Sequence, residues 1–335
     1  MIMPAESVPG VTHRFVEVGG LRMHIAEAGH GPLVILLHGF PESWYSWRHQ
    51  LTALAESGFH AVAPDQRGYC ETGPPAGAGG GADGLAQIGE YTILHLTGDV
   101  IGLMDALGEQ HAVVAGHDWG APVAWSAALL RPDRIRGVVG LSVPYRPRGS
   151  AAPIAAMRAG IGEGFYMVYF QQPGVADAEL SRDPVATFRR VLSSGSGGGP
   201  LGLPVVPAGG GFLDICPEPA SLPAWLTGRD IDIFAAQYAK SGFTGPLNWY
   251  RNLDRNWELT AAWHHAPVLV PALYMAGEQD LVVRFPGARE SIASLASVVP
   301  QLRDTVLLPG CGHWTQQERP AEVSAAMIGF IRGLS

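Results

Sequence analysis

The chain is expected to fold as an α/β protein, with a mainly parallel sheet flanked by helices. Three observations carry that expectation. Short continuous apolar runs, of which Leu33-Val34-Ile35-Leu36-Leu37 is the clearest, suit strands buried on both faces. Such runs alternate with longer stretches of helical periodicity, the pattern of a sheet covered on both sides. The alternation breaks after Pro144 and resumes after Pro267, so the order reads α/β, insertion, α/β.

Phe15–Val18 and Leu21–Ile25 read as two strands around the Gly19-Gly20 turn, followed by the buried strand 33–37. Residues 45–56 read as a helix with Trp47, Leu51 and Leu54 on one face, and residues 59–63 as a strand stopped by Pro64 and Asp65. The tract from Gly73 to Gly84 reads as an exposed loop or insertion. Val100, Leu103, Met104 and Leu107 make an apolar stripe on a helix expected over 97–107. A strand at 112–115, a helix at 121–130 with Pro122 in its first turn, and a strand at 135–141 complete the first part. The middle region holds aromatic helical patches and a second flexible tract, Ser193–Gly211. A strand at 268–274, a helix near 288–295, a strand at 305–308 and a helix at 321–331 close the chain. No internal repeat is evident.

Composition narrows the function classes. The 335 residues carry a net charge of −8 and no basic block, which argues against nucleic-acid binding. A chain of this length buries roughly three quarters of its extended surface. The 44 glycines and 27 prolines concentrate in the two tracts and describe loops more than the whole fold. Three widely spaced cysteines, Cys70, Cys216 and Cys311, suggest a reducing compartment, and a cytoplasmic location is expected. No secretion signal and no uninterrupted apolar stretch of membrane-spanning length is evident. The histidines show no compact spacing with Cys or Asp that suggests a zinc site, so no metal is expected.

The chemistry concentrates at Gly116-His117-Asp118-Trp119-Gly120, directly after the run 112–115. Small residues around an acid at a strand-to-helix turn have the layout of a nucleophile elbow in which aspartate replaces serine. A carboxylate there can attack an sp³ carbon and form an ester, which water then cleaves at the carbonyl. Alone, Asp118 could equally be an Asx turn or helix cap, Asp280 a cap, and His313 a surface imidazole. Their order is that of nucleophile, acid and histidine, and Asp280 and His313 each follow a later core strand, where active groups of open α/β sheets gather. His313 suits proton removal from water, with Asp280 fixing its tautomer. The backbone amides of Phe40 and Trp119 are the candidate oxyanion donors. The aspartate points to opening an epoxide or displacing a halide; opening an epoxide also needs an acid at the departing oxygen, and a tyrosine hydroxyl can serve. Phe165–Phe170 and Asn248–Asn252 both carry tyrosines, which could instead be packing residues.

With these residues in place, the chain resembles the epoxide hydrolases of the α/β-hydrolase fold. The resemblance rests on His38-Gly39-Phe40-Pro41-Glu42, Asp65-Gln66-Arg67-Gly68-Tyr69, the Asp118 and His313 motifs, Tyr169-Phe170-Gln171-Gln172-Pro173-Gly174 and Asn248-Trp249-Tyr250-Arg251-Asn252. It implies a core over 1–144 and 259–335 with a helical cap over 145–258 and the active site between them. It assigns Asp118 as nucleophile, Asp280 as charge-relay acid and His313 as base. It prefers Tyr166 over Tyr169, pairs Tyr166 with Tyr250 at the epoxide oxygen, and implies a cis Phe40–Pro41 bond. The implied reaction partners are a small hydrophobic epoxide and water, with no cofactor, in a monomer or homodimer. Two departures bear on substrate size: the glycine-rich insertion beyond Cys70-Glu71-Thr72, and the tract 193–211. The rivals are a haloalkane dehalogenase, disfavoured by Phe40 where halide-binding relatives often carry asparagine, and a binding protein that no longer turns over.

Overall fold

In the computed structural model, residues 8–74, 88–200 and 202–334 are described. An eight-stranded sheet runs through the molecule: β1 (Thr12–Val18), β2 (Leu21–Ala28), β3 (Leu33–Leu37), β4 (His60–Pro64), β5 (Ala112–His117), β6 (Ile135–Leu141), β7 (Ala272–Gly277) and β8 (Leu302–Leu308). Their spatial order is β1-β2-β4-β3-β5-β6-β7-β8. β1, β2 and β4 pair antiparallel, and the six strands from β4 to β8 run parallel. The apolar runs explain the centre: β3, β5 and β7 are buried along their whole length. Helices Arg48–Glu56 and Pro320–Arg332 pack together, as do Ile93–Ala106 and Gly120–Leu130, and these two pairs cover the sheet. Trp47, Leu51 and Leu54 are fully buried, each contributing roughly 1.5–3 kcal/mol of hydrophobic stabilisation.

Several boundaries differ from the sequence reading. The helix expected at 97–107 begins at Ile93, because Thr92 caps it by accepting from the His95 amide. The expected strand 268–274 lies instead at 272–277: Pro271 has no N–H for the ladder, so pairing with β6 and β8 begins only at Ala272. β8 starts at Leu302, three residues earlier than expected. Residues 75–84 of the glycine-rich tract lie outside the described residues.

Between β6 and β7 the described residues form seven α-helices and no strand of the sheet. The tract 193–211, expected to be flexible, is partly built into the fold among its described residues. Helix Pro184–Gly195 extends into it, Ser193 to Ser196 are buried, Val205 bridges to Phe165, and the Tyr166 amide donates to Pro204 O at 3.0 Å. At Gly197 the glycine marks close approach of two backbones. A Cβ on Gly197 would stand 2.2 Å from Gly310 O.

Candidate active site

Each candidate polar group of the triad leaves the carboxyl end of a parallel strand, where the backbone turns away from the ladder and frees a side chain. Asp118 follows β5, Asp280 follows β7 and His313 follows β8. Asp118 sits in the left-handed region at φ 49, strained for a residue with a Cβ. Its neighbours make that turn feasible: a Cβ on Gly116 would meet Gly120 O at 2.0 Å, and one on Gly120 would meet Leu37 O at 2.0 Å.

The carboxylates converge on one imidazole. His313 Nδ1 donates to Asp280 Oδ1 at 3.0 Å, and His313 Nε2 lies 3.4 Å from Asp118 Oδ2. The other oxygen of Asp118, Oδ1, accepts from the Phe40 amide at 2.8 Å, so one candidate oxyanion donor already touches the carboxylate. Trp119 directly follows Asp118 and leads into helix Gly120–Leu130. The Phe40–Pro41 bond is cis. Tyr166 and Tyr250 are buried, their ring centroids 6.0 Å apart, and both line the same cavities as Asp118. Tyr169, the alternative in the same helix, turns away and donates to Glu179 Oε2 at 2.8 Å.

Two spaces meet at Asp118, Tyr166 and Tyr250. One of about 40 Å³ is bounded by Phe40, Val191, Phe212, His313 and Trp314. The other, about 550 Å³, is bounded by Trp119, Pro122, Val143, Met157, Trp257 and Trp263. These linings are mostly apolar, and Asp118, Tyr166 and Tyr250 line both.

Burial and charge set the proton states. Burial opposes a charged His313, yet the Asp280 carboxylate, together with hydrogen bonds to Asp118 and Asp280, holds its pKa well above the ordinary 6.5. Burial likewise opposes the charge of Asp280, but His313, the Val282 amide and the Ser142 hydroxyl keep that carboxyl below its usual range. Burial, with the nearby Asp118 charge, pushes Tyr166 and Tyr250 well above 10, so both hydroxyls keep their protons at neutral pH.

The sequence reading missed three features. Ser142, directly after β6, also lies in the left-handed region (φ 68), with Oγ 3.2 Å from His313 Nδ1. Its position beyond a parallel strand was the available signal. Glu42 and His117 form a sealed pair at 2.7 Å, and His117 Nε2 donates to His313 O at 2.7 Å. Their signal was adjacency: both lie inside the motifs that flank Phe40 and Asp118. The third is Glu318, just beyond the His313 turn. Among the described residues, no group of three or more His, Cys, Asp or Glu side chains could hold a metal ion, and no helix is long and apolar enough to cross a membrane.

Known proteins match this chain over most of its length. A family model for the alpha/beta hydrolase fold matches residues 32–320. "Epoxide hydrolase A" of Mycobacterium tuberculosis is 46% identical over 330 residues, covering 96% of this chain and 98% of that protein. The crystal structure of Epoxide Hydrolase A from Mycobacterium thermoresistibile superposes with a TM-score of 0.88 at 47% identity, covering 97% and 99% of the two chains. An epoxide hydrolase from an endophytic Streptomyces gives a TM-score of 0.90 at 43% identity, with 97% and 96% covered. The fold is therefore that of the α/β hydrolases. Within that class, the chain belongs to the epoxide hydrolase family.

Proposed function

We propose that the protein hydrolyses a hydrophobic organic epoxide to a vicinal diol through a covalent ester on Asp118. The observation that carries this reading is the placement of Asp118 Oδ2 3.4 Å from His313 Nε2, with Tyr166 and Tyr250 bounding the same space. The helical segment 145–258 serves as the cap that closes the site.

In the first step a carboxylate oxygen of Asp118 attacks one ring carbon and the carbon–oxygen bond of the epoxide breaks. The departing oxygen takes a proton from Tyr166 or Tyr250, whose hydroxyls remain protonated because burial raises their pKa. The product is a hydroxyalkyl ester. Its formation removes the negative charge of Asp118, one of the two carboxylates that stabilise imidazolium at position 313. His313 then yields its Nε2 proton to the tyrosinate left by the first step, and the neutral ring becomes a base towards water. Asp280 stabilises the imidazolium that forms as water loses its proton. Water attacks the ester carbonyl, the oxyanion is met by the Phe40 and Trp119 amides, and collapse releases the diol and restores Asp118. Apolar lining on both sides of Asp118 favours a hydrophobic substrate.

Diol formation from small aryl and alkyl epoxides, measured with Tyr166→Phe and Tyr250→Phe beside the native protein, tests the reading. Each substitution is expected to slow ester formation by roughly 100-fold. Turnover unchanged in both variants would remove the tyrosines from the mechanism.

A further inference from the structure

The backbone around His313 is held at four points. The His313 amide donates to Gly195 O at 2.8 Å, and its carbonyl accepts from His117 Nε2 at 2.7 Å. On either side, the Gly312 amide donates to Glu318 Oε2 at 2.9 Å and the Trp314 amide to Glu318 Oε1 at 3.1 Å. Glu318 Oε2 also accepts from the Gly197 amide, at 2.9 Å, in the segment that continues the helical insertion. One carboxylate thus ties three backbone amides from two parts of the chain.

The fit there is tight. A Cβ on Gly312 would stand 2.3 Å from Gly197 N, and one on Gly197 would stand 3.1 Å from Glu318 Oε2. Glu318 receives only backbone donors at these contacts, so its charge is met by dipoles whose positions depend on both segments. Charge-assisted bonds of this kind are roughly twice as strong as neutral ones. No distance places Glu318 at the reacting atoms. Its reach to them runs through the amides on both sides of His313.

We propose that Glu318 is a positioning residue that holds the His313 turn against segment 195–198, and that it acts on ester hydrolysis while leaving ester formation nearly unchanged. The proposal rests on the epoxide-hydrolysis reading above. Asp118 follows a different strand, with its own contact to Phe40, and ester formation uses its carboxylate and the tyrosines. Ester hydrolysis requires His313 Nε2 to meet a water at the ester. A displacement of the His313 turn by a fraction of an ångström falls on that second step.

Glu318→Gln keeps the shape but turns one acceptor into a donor facing an N–H. Pre-steady-state mixing with styrene oxide, followed by intact mass, separates the two rate constants. The expected result is ester hydrolysis slowed roughly 10- to 100-fold, ester formation changed by no more than about twofold, and a covalent ester accumulating at steady state. Gly197→Ala breaks the same joint from the other side, and the same ratio is expected there. The ratio of the two rate constants does not depend on how much protein folds, so a loss of stability alone leaves it unmoved. Equal slowing of both steps, or no change in either, in both variants would overturn the proposal. His313→Gln on the same epoxide separates the two readings. If that variant forms no ester, epoxide hydrolysis itself fails and the proposal falls with it. If it forms ester while the joint variants keep the native ratio, only the role of Glu318 falls.

Discussion

Two buried carboxylate–imidazole pairs lie side by side, their imidazole rings 4.9 Å apart, and they differ in what the second ring nitrogen faces. In the Glu42–His117 pair, Nδ1 donates to Glu42 Oε2 at 2.7 Å and Nε2 to a backbone carbonyl at 2.7 Å. Glu42 is saturated: Oε2 also accepts from the Gly39 amide, and Oε1 accepts from Gln316 and Gln317. In the Asp280–His313 pair, Nδ1 donates to a carboxylate at 3.0 Å, but Nε2 faces Asp118 at the wall of a cavity. Both rings have acceptors on each side. The partners of His117 are permanent, whereas one partner of His313 is the carboxylate that the proposed ester would neutralise. A shared pair becomes chemically useful when one acceptor can lose its charge.

The largest expected effect comes from breaking the open pair. Asp280→Asn presents the wrong partner to Nδ1, and ester hydrolysis is expected to fall about 10⁴-fold with ester formation far less affected. Stopped-flow measurement of both phases checks this. Breaking the sealed pair should act on stability. Glu42→Gln leaves His117 without its charge partner, and chemical denaturation is expected to show a loss of about 3–5 kcal/mol. Burial opposes the Glu42 charge, yet His117 and the surrounding donors hold its carboxyl down at about 2, from an ordinary 4.5. Its contribution is therefore present above about pH 4.5 and lost as pH falls towards 2. The Glu42→Gln variant should lack that part of the acid dependence.

The next test addresses the coupling of His313 to Asp118. Removing the Asp118 charge in Asp118→Asn should lower the pKa of His313, read by NMR titration of the ring. The sign follows from its raised folded value: the charged ring stabilises the fold below its unfolded pKa near 6.5, and that stabilisation is lost as pH rises through the folded pKa. Asp118→Asn should narrow that window from above. The smallest effect is expected for Ser142→Ala, which removes a hydroxyl beside His313 Nδ1 and should slow ester hydrolysis about 10-fold.

Much of this was legible in the sequence for a physical reason. Strands buried on both faces write continuous apolar runs, and the residue that follows such a run is presented at one edge of the sheet. Asp118, Asp280 and His313 could thus be picked out by position. Ser142 obeys the same rule, but a serine after a strand also fits an ordinary turn, so its residue type does not single it out. Tyr166 and Tyr250 are singled out only by the resemblance, since the direction of a side chain in the helical insertion depends on helix packing that no local pattern encodes. In the tract 193–211 the glycines are ambiguous, because glycine supports both freedom and close approach. Only the partner segment around Gly312 and Glu318 decides which applies, and it lies more than a hundred residues away. β7 shifted for a local reason: Val268–Val270 is apolar, but Pro271 delays the ladder.

In the proposed mechanism Asp118 forms the ester and His313 resolves it. Intact mass of His313→Gln after exposure to small aryl and alkyl epoxides, with peptide mapping, tests it most directly. The account predicts a stable increase equal to the whole epoxide, mapped to Asp118. Folded variant protein with no adduct across the panel, or an adduct mapped to another residue, would contradict it.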